Sequence, residues 1–120
     1  MRTDLHIHSC LSPCASDAMD PQDLVGMAKI CGLELIALTD HNSAKNCPAA
    51  AEAAAKYGIG FIPGIEVNTS EDIHCVCYFP TLEAAMAFDA GVQACGLGPR
   101  ILRTETASGY LLAALSFRYE

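Results

Sequence analysis

The chain has no cluster of lysines and arginines, no low-complexity segment and no block of like charges. Its 7 basic residues stand against 14 acidic ones, for a formal net charge of −7. So cation-poor a composition argues against non-specific binding to nucleic-acid backbone, which needs a basic surface. A small phosphorylated substrate stays open, because a bound divalent cation brings positive charge that the formal count omits. No window approaches the ~20 apolar residues of a membrane span, so no membrane partner is expected. The opening Met-Arg-Thr-Asp lacks the apolar stretch of a secretory signal, and the cytoplasm is the expected compartment.

What is present is globular: 120 residues, 52% hydrophobic and 18% charged, enough for one domain. The 7 cysteines are an odd number in apolar-periodic surroundings, which suits reduced thiols better than a disulfide framework. Cys31, Cys75, Cys77 and Cys95 read as small buried apolar residues. Cys10 and Cys14 lie close to two histidines at a spacing that zinc permits, so a Cys/His structural zinc module is one alternative.

Apolar periodicity divides the chain into alternating elements. Residues 3–8 read as a strand and 9–19 as a loop. Asp20 then caps a helix with Pro21 in its first turn and Gly32 as its stop. The run "ELIALTD", 34–40, reads as a buried parallel strand. A second helix fits 47–57, with Asn46 capping, Pro48 in the first turn and Gly58 closing. Residues 59–69 form a strand region interrupted at Pro63-Gly64, and 72–79 form another. Thr81 opens a third helix that ends near Gly96. This order predicts an α/β architecture with a mainly parallel sheet. Residues 1–96 are expected to form the domain, with 97–120 a tail of uncertain structure.

The histidines carry the chemistry. In "DLHIHS", residues 4–9, strand alternation turns Leu5 and Ile7 to one face and Asp4, His6 and His8 to the other. His6 and His8 would then stand roughly 7 Å apart on one strand face, able to serve one metal ion or two. His41 follows the second strand in "LTDHN", Glu66 lies in "PGIEV", and His74 lies in "EDIHCVCYF". Strand ends are where α/β folds build their sites. Imidazoles gathered with a carboxylate suit Zn²⁺, Mn²⁺ or Fe²⁺.

In order and spacing, "DLHIHS", "LTDHN", "PGIEV" and "IHCVCYF" resemble the N-terminal motifs of the PHP (polymerase and histidinol phosphatase) family. The opening "DLHIHSCLSPC" looks especially like its phosphoesterase-type members. The resemblance covers roughly residues 3 to 92. It implies part of a distorted seven-stranded, TIM-like β/α barrel, of which this length supplies about four strands. It also implies two or three divalent metal ions. By motif, His6, His8, His41, Glu66 and His74 would be ligands, with Glu66 bridging. The loop after the first motif would add an acid: Asp17, with Asp20 the rival, although a capping role for Asp20 favours Asp17. Asp40 and Asp4 would orient imidazoles from behind.

The implied reaction is hydrolysis of a phosphate ester of a small metabolite or nucleotide by metal-activated water, with no serine or cysteine nucleophile. Ser9 and Cys10, beside the ligands, read as loop residues. The family continues to a further histidine and an Asp-x-His motif, whereas no histidine follows His74 here. A truncated chain is therefore expected, whose open sheet edge a second copy could cover. A catalytically incomplete metal-binding fragment is the other alternative.

Overall fold

Helix-end chemistry places the elements where the periodicity puts them. The computed structural model describes residues 1–12, 15, 19–69 and 71–94. In chain order these form β1 (Thr3–Ile7), α1 (Pro21–Ile30), β2 (Leu35–Leu38), α2 (Cys47–Tyr57), β3 (Gly60–Asn68), β4 (His74–Tyr78) and α3 (Leu82–Ala94). The Asp20 carboxylate accepts the N–H of Asp23 at 2.9 Å, filling one of the orphan donors at the start of α1. Gly58 ends α2 in the left-handed conformation, φ 72°, which a side chain would disfavour. At α3 the Thr81 hydroxyl accepts from Ala84 at 3.1 Å.

One helix start differs from expectation. Asn46 precedes α2 in helical backbone geometry, φ −89° and ψ −3°, and its side chain makes no cap bond. A capping side chain needs extended backbone to fold back on the first turn. The Asn46 amide instead donates to the Ser9 hydroxyl at 2.9 Å.

The sheet runs in the order β1-β2-β3-β4, with β1–β2 and β2–β3 parallel and β3–β4 antiparallel. β3 is continuous, where an interruption at Pro63-Gly64 was expected. Its ladder to β2 reaches Pro63, and its ladder to β4 begins at Gly64. The missing proline N–H thus falls at the hand-over between two partners, while the Pro63 carbonyl accepts from Phe79 at 2.9 Å. Gly64 is required there. A Cβ would stand 2.8 Å from the Cys77 carbonyl oxygen and 2.9 Å from Cγ2 of Thr39.

The sheet has one greasy face and one chemical face. Ile36, Leu38, Ile65, Val67 and Cys77 join Leu24, Val25 and Ala28 of α1, Ala50, Ala53 and Ala54 of α2, and Ala85 and Phe88 of α3 in one core. Full burial of an Ile or Leu side chain there contributes about 1.5–3 kcal/mol. Alternation turns Gly64, Glu66 and Asn68 the other way. The sheet curls toward that second face, so that the Tyr78 hydroxyl on one outer strand donates to the Leu5 carbonyl on the other at 2.7 Å. The result is a mostly parallel, four-stranded half-barrel.

Two of the cysteines expected inside are exposed: Cys31, where the chain leaves α1, and Cys75, on the outer strand β4. Cys77 is buried as expected; Cys47, for which no expectation was drawn, is buried too. Cys95, Cys14, Asp17 and the stretch 97–120, with the expected boundary after residue 96, lie outside the described residues.

Candidate metal centre

Four neighbouring strands deliver the polar cluster because their registers align. His6 lies on β1 and His8 just beyond it. His41 follows β2 and forms a parallel bridge to Glu66 of β3. The Glu66 N–H donates to the Asp40 carbonyl, and the Asn42 N–H to the Glu66 carbonyl, each at 2.9 Å. On the other side of β3, Asn68 pairs with His74 of β4.

Glu66 is the centre, only 2% exposed. Its two oxygens divide the histidines between them. Oε1 contacts Nε2 of His6 and stands 3.6 Å from Nε2 of His8. Oε2 stands 3.1 Å from Nδ1 of His41 and 2.8 Å from Nδ1 of His74. The rings form a row across the sheet. Centroids are 5.0 Å apart for His6 and His8, 4.6 Å for the stacked pair His8 and His41, and 5.5 Å for His41 and His74.

Two triads follow, His6–His8–Glu66 and His41–Glu66–His74, each with its donor atoms within 4.8 Å of one another. Zinc–nitrogen and zinc–oxygen bonds of about 2.0–2.2 Å place tetrahedral donors roughly 3.4 Å apart. The triads need only small side-chain adjustments to reach that spacing, and nitrogen plus carboxylate donors suit a borderline divalent ion. The residues present therefore fit the metals that the motifs imply.

The carboxylate and the imidazoles shift one another's protonation. Burial pushes the Glu66 carboxyl up, but the His6 hydrogen bond and the neighbouring His41, His6 and His8 outweigh it, and the net shift is downward. His8 is lowered, by burial first and by His41 second, which favours the neutral ring a metal requires. His74 is raised, chiefly by its hydrogen bond with Asp72 at 3.1 Å.

His6, His8, His41, Glu66 and His74 thus come together. Asp20 serves as a helix cap. Asp40 is 1% exposed and lies behind the cluster, but its direct partners are serines rather than imidazoles. Oδ1 accepts from the Ser9 N–H at 2.6 Å and from the Ser12 hydroxyl at 2.8 Å, and Oδ2 accepts from the Ser9 hydroxyl at 2.5 Å. Asp4 is exposed, and its carboxylate takes the main-chain N–H of His6 at 3.2 Å, a local bond that leaves the ring unguided. Cys10 lies within 3.8 Å of the Asn46 amide and belongs to neither triad.

Sequence reasoning missed Ser9 and Ser12, both fully buried, and Asn68, whose Oδ1 stands 2.9 Å from Nδ1 of His41. Their signal was present only as two serines following His8 in "HSCLS". A buried hydroxyl demands a partner, but the partner is about thirty residues away in the chain.

A family model described as the PHP domain matches residues 4–117. Among curated proteins, a PolC-type DNA polymerase III of Lacticaseibacillus paracasei is 40% identical over 78 residues, covering 64% of this chain and 5% of that protein. A 3′,5′-nucleoside bisphosphate phosphatase of Chromobacterium violaceum is 40% identical over 73 residues, covering 61% of this chain and 25% of that one. Among solved structures, an amidohydrolase from Chromobacterium violaceum superposes with a TM-score of 0.63 at 32% identity, over 78% of this chain and 34% of that one. A protein described as a metal-dependent phosphoesterase, from Bifidobacterium adolescentis, superposes with a TM-score of 0.58 at 25% identity, again over 78% and 34%. The chain therefore spans a quarter or less of the length of these curated relatives.

Proposed function

This chain belongs to the PHP domain family, and on that footing we propose that it carries the metal centre of a metal-dependent phosphoesterase. The observation that carries the reading is the division of Glu66, one oxygen facing His6 and His8 and the other facing His41 and His74. Such a division would let one carboxylate serve two cations. Bound there, divalent ions would supply water acidified from a pKa of roughly 15.7 to about 7, and positive charge for phosphoryl oxygens. His6 and His8 would hold one ion and His41 and His74 the other. Asp17 is proposed as an additional ligand. Asp72 steadies His74 from its far nitrogen.

The serine and cysteine beside the ligands are not the nucleophile in this reading. The Ser9 hydroxyl is fully buried, donating to Asp40 and accepting from Asn46, which keeps it out of reach of a substrate. The proposed substrates are phosphate esters of small metabolites or nucleotides. The phosphatase relative makes a nucleoside bisphosphate the first to test. Zinc, manganese and iron are the proposed metals, the cytoplasm is the proposed location, and a second copy at an outer strand is the proposed protein partner. Among the described residues no helix is long and apolar enough to cross a membrane.

The test is metal content by mass spectrometry on the purified chain, followed by hydrolysis of a nucleoside 3′,5′-bisphosphate after chelation and after return of Mn²⁺ or Zn²⁺. Two or more ions per chain, with turnover restored by metal, is the expected result. A chain that retains no divalent ion would sink the reading. The short span of the chain against its relatives favours a second reading, a metal-binding segment without turnover of its own. Tight metal binding with no hydrolysis would select it.

A further inference from the structure

Hydrogen-bond counting around one buried hydroxyl fixes the state of a histidine. Ser12 is 2% exposed, and its Oγ has three polar neighbours. It lies 2.8 Å from Asp40 Oδ1, 3.1 Å from the main-chain nitrogen of His41 and 3.1 Å from Nδ1 of His8. A hydroxyl has one proton to give and two lone pairs to receive with. The carboxylate can only accept, so the proton goes to Asp40. The His41 N–H can only donate, so it takes one lone pair. Nδ1 of His8 then faces the remaining lone pair and has to carry a proton itself.

We infer that Ser12, anchored by Asp40, is a positioning residue that holds His8 in its Nδ1–H tautomer and so directs a bare Nε2 toward Glu66. Nε2 stands 3.6 Å from Glu66 Oε1. Two acceptors facing each other at that distance are stabilised by a cation shared between them. The same oxygen holds the main chain at His41, so one hydroxyl sets the loop after β1 against the loop after β2. Asp40 cannot drift, because the Ser9 N–H and hydroxyl hold it at 2.6 Å and 2.5 Å. Imidazole orientation by an outer hydrogen bond is worth about 10–100-fold in metal affinity. The inference deepens the proposed function, since it rests on reading His8 as a ligand.

The experiment is a long-range ¹H–¹⁵N correlation spectrum of the metal-free full chain at pH 8, with Zn²⁺ affinity measured alongside. The expected spectrum shows His8 protonated on Nδ1. Ser12→Ala should shift it toward the Nε2–H form and weaken Zn²⁺ binding about 10–100-fold. Ser12→Thr, which keeps the hydroxyl, should restore both. Wild-type His8 protonated on Nε2, or an unchanged tautomer in folded Ser12→Ala, would overturn the inference. Should Ser12→Ala not fold, the wild-type spectrum and Ser12→Thr decide the matter alone. A wild-type chain with the Nδ1–H tautomer that binds no Zn²⁺ would instead defeat the metal reading, which keeps the two failures apart.

Discussion

Asp40 and Glu66 are both buried carboxylates, joined through a main-chain bond of 2.9 Å, yet their surroundings are opposite in kind. Asp40 is ringed by groups that only need an acceptor: one amide N–H and two hydroxyls. Glu66 is ringed by four imidazole nitrogens, which can be donors or acceptors according to where their protons sit. The first carboxylate is complete as it stands. The second is completed by protons or by metal ions. Burial alone therefore does not mark a functional carboxylate; the chemistry of its neighbours does.

The largest effect expected from this contrast is at Glu66. Glu66→Gln keeps the shape but removes the charge, and should lower Zn²⁺ affinity and any hydrolysis by more than about 100-fold, exceeding the loss typical of outer partners. The thermal midpoint of the metal-free chain should fall less than in Asp40→Ala. Unchanged metal uptake would break the comparison.

Asp40→Ala should act the other way, through stability. It strands three buried donors, each costing about 1–3 kcal/mol when unsatisfied, so urea unfolding should report a loss of about 3 kcal/mol or more. A smaller loss than Glu66→Gln produces would contradict the assignment of Asp40 as the structural carboxylate.

Gly64→Ala tests the strand between them. The new methyl group would press on the Cys77 carbonyl and on Thr39, the residue before Asp40, at a cost of about 1–3 kcal/mol by urea unfolding. No loss would mean that β3 yields more easily than its close contacts indicate.

The smallest effect concerns Cys47, whose thiol is pushed up to about 11, first by burial and further by the charges of Asp40 and Asp89. A pKa raised in the folded state contributes stability that is full below the unfolded value near 9.0 and is lost as pH rises toward about 11. The Cys47 contribution should thus be flat to about pH 9 and decline above it. Iodoacetamide at pH 8 should label the exposed Cys31 and Cys75 well before Cys47. Early labelling of Cys47 would show that the core around it opens more readily than its burial implies.

Much of this was legible in the chain. Asp20 with Pro21, and Pro48 with Gly58, marked helix ends by chemistry that acts over one turn. The strands that carry His6, Glu66 and His74, and the one that leads into His41, were readable because alternation and apolar runs are local patterns. Asn46 misled for the same reason: its residue type suits a cap, but its amide is taken by the hydroxyl of Ser9, far away in the chain. Ser9 and Ser12 were unreadable, since nothing within a few residues of them shows that a distant carboxylate will take both of their protons.

The order of residues by itself determined which side chains would sit at strand ends, and that imidazoles and one carboxylate would share an edge. Only the folded sheet decided which nitrogen faces which oxygen, and which of two buried acids would be satisfied by hydroxyls. Element boundaries depend on interactions among near neighbours, whereas those choices depend on register between strands and on hydrogen bonds that close loops of about thirty residues.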